Sequence, residues 1–67
     1  MTDLTQYEMA SYHVQAVEVK GEVVWYEPNK RFQWRKIPFS KARKLLARYG
    51  LTPEEFLNEK QLWEALQ

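Results

Sequence analysis

The segment VQAVEVKGEVVWYEPNKRFQWRKI, residues 14–37, carries the strongest indication of the fold. It is rich in β-branched and aromatic residues, and two turn signals divide it. Lys20-Gly21 predicts a two-residue hairpin turn, because glycine accepts the positive φ that such turns require. Pro28-Asn29 predicts a second turn, since proline presets φ and asparagine tolerates the conformation that follows. We therefore expect three antiparallel strands, over residues 12–20, 22–27 and 31–37.

The two turns also predict which side chains share a face of the sheet. The first turn pairs Ala16 with Trp25, and the second pairs Trp25 with Phe32. One face should be apolar and covered by helices; it carries Val14, Ala16, Val23, Trp25, Phe32 and Trp34. The other face should be wet; it carries His13, Gln15, Val17, Val19, Val24, Tyr26, Arg31, Gln33 and Arg35. Two cross-strand pairs are expected there, Glu22 with Arg35 and Tyr26 with Arg31.

A first helix is predicted directly after the strands. Ser40 is its predicted N-cap, and apolar residues recur at helical spacing from Phe39 to Tyr49. Gly50 is its predicted stop, because glycine adopts the left-handed conformation that ends many helices. This helix should lay its apolar stripe on the dry face of the sheet.

A second helix is predicted to begin at Thr52-Pro53-Glu54-Glu55, with threonine as N-cap, proline at the first helical position and glutamate at the third. Glu59 falls inside its apolar stripe, so a kink or a restart of the helix near Asn58 is expected. The predicted fold class is α+β: a three-stranded antiparallel β-meander followed by two α-helices packed on one face of the sheet.

The length of 67 residues allows one small domain. We expect residues 1–10 to be a mobile N-terminal lead-in, with one helical turn around residues 4–9, and residues 11–67 to form the domain. The chain has no cysteine, which excludes disulfides and thiolate metal sites and fits a reducing compartment. It shows neither a signal-peptide pattern nor an apolar run of bilayer length. A cytoplasmic protein without a membrane partner is therefore expected.

The residues that carry catalysis in known enzymes are sparse in this chain. It has one histidine, His13, and two glycines, so neither a histidine-rich metal site nor a glycine-rich phosphate loop is present. Its acids are scattered, apart from a pair that helix capping explains. We expect a protein that is not an enzyme, with no catalytic residue, metal or cofactor.

Charge is distributed in three blocks. Residues 1–29 carry a net charge of −4, residues 30–49 carry +8 without one acid, and residues 50–67 carry −3. A basic block of this density is typical of surfaces that bind the phosphates of nucleic acids. The sequence therefore favours a small regulatory or accessory protein that binds DNA or RNA. The candidate residues are Arg31, Gln33, Arg35, Lys36, Lys41, Arg43, Lys44 and Arg48.

Three alternatives stay open at the level of sequence. The acidic second helix could neutralise the basic first helix within the molecule. The basic block could instead bind an acidic protein surface. A third alternative is a protein-interaction module or inhibitor, such as the accessory proteins of phages and plasmids, that uses the exposed sheet face or forms a homodimer through it. The residues of that face are Val17, Val19, Val24 and Tyr26.

The predicted element order resembles two kinds of small nucleic-acid-binding module. These are the arm-binding domains of tyrosine recombinases and the latter part of the double-stranded RNA-binding domain. Ser40-Lys41-Ala42-Arg43-Lys44 is similar in type to the basic helix start of the second family. The resemblance covers about half of the chain, and the first helix of the RNA-binding family is missing or degenerate in this sequence. It implies nucleic-acid binding as an expectation, because architecture alone does not establish function.

Overall fold

A computed structural model describes residues 4–67 of the chain. Its elements are α1 (Thr5–Ser11), β1 (Gln15–Val19), β2 (Glu22–Pro28), β3 (Trp34–Ile37), α2 (Phe39–Ala47) and α3 (Pro53–Ala65). The strands form one antiparallel sheet in the order β1-β2-β3, and α2 and α3 follow it. The predicted α+β class, with a meander followed by two packed helices, is confirmed.

The first hairpin has the predicted turn and register. Lys20 and Gly21 both have positive φ, 52° and 82°, as a two-residue turn between twisted strands requires. Val19 lies opposite Glu22, and Ala16 lies opposite Trp25. The glycine supplies one left-handed position without strain, and the turn then sets the whole β1–β2 register.

The predicted second turn is wrong. Pro28 is the last residue of β2, and a loop over residues 29–33 joins it to β3. The Asn29 side-chain oxygen accepts hydrogen bonds from the backbone N–H groups of Arg31 (2.8 Å) and Gln33 (3.0 Å). The Asn29 N–H in turn donates to the Gln33 carbonyl at 2.8 Å. The asparagine therefore closes a five-residue loop instead of sitting in a two-residue turn.

The longer loop exchanges the two faces of β3. Trp25 lies opposite Ile37, five residues beyond the predicted partner Phe32. Because side chains alternate along a strand, an odd shift moves each of them to the other face. Ile37 is buried in the core, whereas Trp34 and Phe32, both predicted to be buried, are exposed. The predicted pairs Glu22–Arg35 and Tyr26–Arg31 are also wrong, since Arg35 lies opposite Glu27 and Tyr26 lies opposite Lys36.

The core lies between one face of the sheet and the helices. It consists of Tyr7, Ala10, Val14, Ala16, Trp25, Ile37, Ala42, Leu46, Leu51 and Phe56. The opposite face, which we call the outer sheet face, is left uncovered by residues 4–67, and Val17, Val19 and Trp34 are exposed on it. By strand alternation it carries Gln15, Val17, Val19, Glu22, Val24, Tyr26, Trp34 and Lys36.

The first described residues form part of the core. Helix α1 is longer than the single turn expected around residues 4–9, and its Tyr7 and Ala10 are buried. The Tyr7 ring lies 5.0 Å from that of Phe56 in α3. The predicted boundary after residue 10 therefore cuts through the core, and residues 1–3 of the predicted lead-in lie outside the described residues. A helix precedes the strands where the sequence indicated a missing or degenerate one.

The ends of α2 and α3 follow local signals with one exception. Gly50 has φ 72° after α2, and Thr52 and Glu55 form the predicted capping box of α3. The N-cap of α2 is Pro38, so the predicted N-cap Ser40 lies inside the first turn. The helix restart predicted near Asn58 is absent, since α3 is continuous over Pro53–Ala65 within the described part of the chain.

Candidate nucleic-acid interface

Six basic side chains meet where β3, the loop before it and α2 adjoin. We call this surface the basic edge; its residues are Lys30, Arg31, Arg35, Lys41, Lys44 and Arg48. All six are exposed. Lys30, Arg31 and Arg35 line one depression beside Pro28, and Arg48 lines the next one with Glu27. The strand and the helix thus present one continuous set of cations.

Glu27 joins the strand part of the basic edge to the helix part. Its Oε1 accepts hydrogen bonds from Arg35 Nη2 at 2.5 Å and from Lys41 Nζ at 2.6 Å. The Glu27 side chain is only 12% exposed, whereas both cations keep about half of their surface in water. One carboxylate therefore holds two cations together without covering them.

The charge of Glu27 should make the stability of the fold depend on pH. Hydrogen bonds from Lys41 and then from Arg35 hold the pKa of this carboxyl below its ordinary value of 4.5. A lowered pKa stabilises the fold above the ordinary value, and this contribution is lost as the pH falls through the folded-state pKa. When the pH is lowered from about 6 to about 3, the free energy of unfolding should therefore fall less in Glu27→Gln than in the wild type. The difference should be at most about 1 kcal/mol for each ion pair of Glu27.

Urea titrations at several pH values measure this difference. Lys41→Gln is the matched control, because it removes the largest cause of the shift and keeps the carboxylate. Its acid slope should lie between those of the wild type and Glu27→Gln. Identical acid slopes in all three proteins would contradict the assignment.

Helix geometry explains which bases of α2 join the basic edge. Lys41, Lys44 and Arg48 are spaced i, i+3 and i+7, so they form one strip along the helix. The strip runs beside the buried stripe that contains Ala42 and Leu46. Arg43 is exposed on the opposite side of the helix from Lys41. Of the four predicted bases in residues 41–48, three therefore lie together and one lies apart.

The remaining predicted residues lie outside the basic edge. Lys36 is on the outer sheet face, beside Tyr26. Gln33 is exposed in the β2–β3 loop, where its backbone N–H donates to Asn29. His13, predicted as a strand residue on the wet face, instead lies between α1 and β1 and stacks on Tyr49 with 5.8 Å between ring centroids. The sheet does not present Arg31, Gln33 and Arg35 as one row.

The acidic α3 contacts α2 but forms no ion pair with it through Glu54, Glu55 or Glu64 among residues 4–67. Among residues 4–67, Glu64 instead pairs with Lys60 of its own helix, with 3.9 Å between Oε1 and Nζ. Lys60 also donates to the Ala16 carbonyl on the edge strand β1. The basic edge therefore keeps its exposed cations although an acidic helix packs next to α2.

The outer sheet face carries Val17, Val19, Val24 and Tyr26, the four residues of the protein-interaction alternative. It also carries Trp34, which was predicted to be buried. Val17 and Tyr26 line a depression with Gln15 and Trp34. Trp34 is 51% exposed. The signal that could have revealed it is Asn29, whose side chain favours a closed loop over a two-residue turn. Lys30 belongs to the basic block but was also missing from the predicted site.

The described residues contain no group of three or more histidine, aspartate or glutamate side chains that could hold a metal ion. None of the helices within residues 4–67 has the length and apolar content needed to cross a membrane. Function must therefore be argued from the surfaces described above. No protein-family model, curated protein or solved structure matches this chain.

Proposed function

We propose that this protein binds nucleic acid, with the basic edge in contact with the sugar–phosphate backbone. The observation that carries the proposal is the local balance of charge. The basic edge has six exposed cations, and two of them, Arg35 and Lys41, bind Glu27, an acid whose side chain is largely enclosed. Phosphates would add anionic partners to cations that still face water, and counterion release would make this binding favourable.

The proposal predicts affinity that depends steeply on salt. With four to six phosphate contacts, the association constant should fall roughly 10²- to 10³-fold between about 50 and 200 mM salt. Fluorescence anisotropy of labelled duplex DNA, duplex RNA and single strands measures this directly. Absence of binding to all of them at the lower salt concentration would overturn the proposal.

Two matched variants locate the contact. Lys44→Gln removes one cation of the basic edge, and the slope of log affinity against log salt should fall by about 1. Lys20→Gln makes the same chemical change in the β1–β2 turn, at the other end of the sheet, and should leave the slope unchanged. Glu27→Gln frees Arg35 and Lys41 from their carboxylate and should tighten binding. Equal slopes for the two lysine variants would contradict the placement.

A protein-interaction function remains the second candidate. The observation that favours it is the uncovered position of Val17, Val19 and Trp34, because contiguous exposed apolar surface often marks an interface. A homodimer through this face would double the mass measured by light scattering or sedimentation. A monomer that binds nucleic acid would leave the face available to another ligand.

A further inference from the structure

We propose that the outer sheet face is a stacking platform for the bases of a single-stranded nucleic acid, with Trp34 and Tyr26 as the aromatic surfaces. This inference rests on the proposed function and names its substrate class. Proteins that bind single strands combine aromatic side chains, on which bases stack, with a cationic path for the backbone. Both features occur here, and β3 is the element that joins them.

The aromatic surface lies at one end of the outer sheet face. Trp34 and Tyr26 line the same depression, with Gln15 and Val17 as its other walls. Phe32 lies in the loop just before Trp34, is 87% exposed and has a left-handed backbone with φ 61°. An exposed phenylalanine in that conformation strains the backbone where glycine or asparagine would not. Trp34 and Phe32 therefore keep aromatic rings exposed to water, where a ligand could contact them.

Charge on the face favours an anionic ligand at the same end. Lys36 is the cross-strand neighbour of Tyr26, and Arg31 is in the loop that leads to Trp34. Glu22 lies at the far end, next to the β1–β2 turn. A ligand that is both aromatic and anionic matches this arrangement, whereas a purely apolar protein segment would leave the lysine beside Tyr26 without a partner.

The position of β3 favours a single strand over a duplex. Arg35 points to the helix side of the sheet, where it meets Glu27, whereas Trp34 and Lys36 lie on the outer face. The two binding surfaces are therefore separated by an edge strand of four residues. A flexible single strand can pass over this edge and contact both surfaces. Duplex DNA, with a persistence length of about 50 nm, would have to be bent sharply to do the same, and that bending opposes binding.

The size of the face argues against a second copy of this chain as the occupant. Three strands of about five residues span roughly 300 Å² in projection. Each partner in a stable protein interface buries about 800 Å², so this face is too small even with the relief of its side chains. A row of stacked bases needs far less contact area, because each base contributes affinity through one aromatic ring.

The test compares a labelled single strand of about ten nucleotides with its duplex in low salt, using the whole 67-residue chain. We expect tighter binding of the single strand and quenching of tryptophan fluorescence when it binds. Trp34→Ala should weaken binding of the single strand roughly 5- to 150-fold, while the weaker binding of the duplex changes little. Trp34→Phe should keep most of the affinity. It should lose most of the quenching, because the two remaining tryptophans are less accessible: Trp25 is buried and Trp63 is half-buried.

Two further variants separate a binding role from a structural one. Phe39→Ala removes an aromatic side chain of similar exposure on α2 and should leave the affinity unchanged. Phe32→Gly should raise Tm by relieving the left-handed position, and it should weaken binding of the single strand. If Phe32 had only a structural role, its replacement would not be expected to raise Tm and at the same time weaken binding.

The outcomes distinguish this inference from the function on which it rests. Equal affinity for single strand and duplex, with no effect of Trp34→Ala, would overturn the stacking platform and leave the basic edge as a backbone site. A doubled solution mass that Trp34→Ala reduces to that of a monomer would also overturn it, and would assign the face to a homodimer. No binding of either nucleic acid would overturn the proposed function itself.

Discussion

Phe56→Ala is expected to lower the free energy of unfolding by about 3–5 kcal/mol. The Phe56 side chain is fully buried, and its ring lies 5.0 Å from Tyr7 and 5.8 Å from Trp25. It therefore connects α3 to α1 and to the central strand, and alanine would leave a cavity among three elements. A domain of this size has a total stability of roughly 3–10 kcal/mol, so the variant should lose about a third or more of it.

Urea denaturation followed by far-UV circular dichroism measures the loss. Phe32→Ala is the matched control, because it removes the same side chain from an exposed loop, and it should change the free energy of unfolding by less than about 0.5 kcal/mol. A loss for Phe56→Ala as small as that of the control would contradict the packing described here.

Tyr7→Ala should cost about 3 kcal/mol, which is the second largest effect expected. Tyr7 is buried, and besides Phe56 it contacts Trp63 with 5.8 Å between ring centroids. Burial, and to a lesser degree the charge of Glu64, raises the pKa of its phenol. The aromatic ring, rather than the hydroxyl, carries most of the buried area, so its loss should be felt across α1 and α3.

Tyr7→Phe is the control, since it keeps the ring and removes only the hydroxyl. Its free energy of unfolding should stay within about 1 kcal/mol of the wild type. The same urea titration serves both variants. If Tyr7→Ala behaved like Tyr7→Phe, α1 would contribute nothing to the core, and the domain would begin near residue 11 as the sequence predicted.

The register of β3 changes the chemistry available on the outer sheet face. With the predicted register, Arg31, Gln33 and Arg35 would share that face, and they would suit hydrogen bonds to base edges in a groove. The observed register puts Trp34 and Lys36 there and directs Arg35 towards Glu27. An arrangement suited to base edges is thereby replaced by one suited to stacking. One loop, closed by Asn29, is responsible for the difference.

Part of the candidate site was predictable from the sequence and part was not. The acid-free basic block contains all six cations of the basic edge, and the predicted site includes five of them, because charge density is a property of the chain alone. Which of those cations meet depended on helix phase and strand register, so Arg43, Lys36 and Gln33 were grouped with residues that lie elsewhere. Trp34 was assigned to the core because a rule for two-residue turns was applied to a five-residue loop.

Features that depend on neighbours within about four residues were predictable from the sequence. Gly21 fixed the first hairpin, Gly50 ended α2, and Thr52 with Glu55 began α3, since each supplies a backbone conformation or a hydrogen bond locally. Three other features required the folded chain: the register of β3, the packing of α1 on α3, and the binding of both Arg35 and Lys41 by Glu27. Those features depend on packing and charge among side chains far apart in the chain, where several local conformations are acceptable and burial selects one of them.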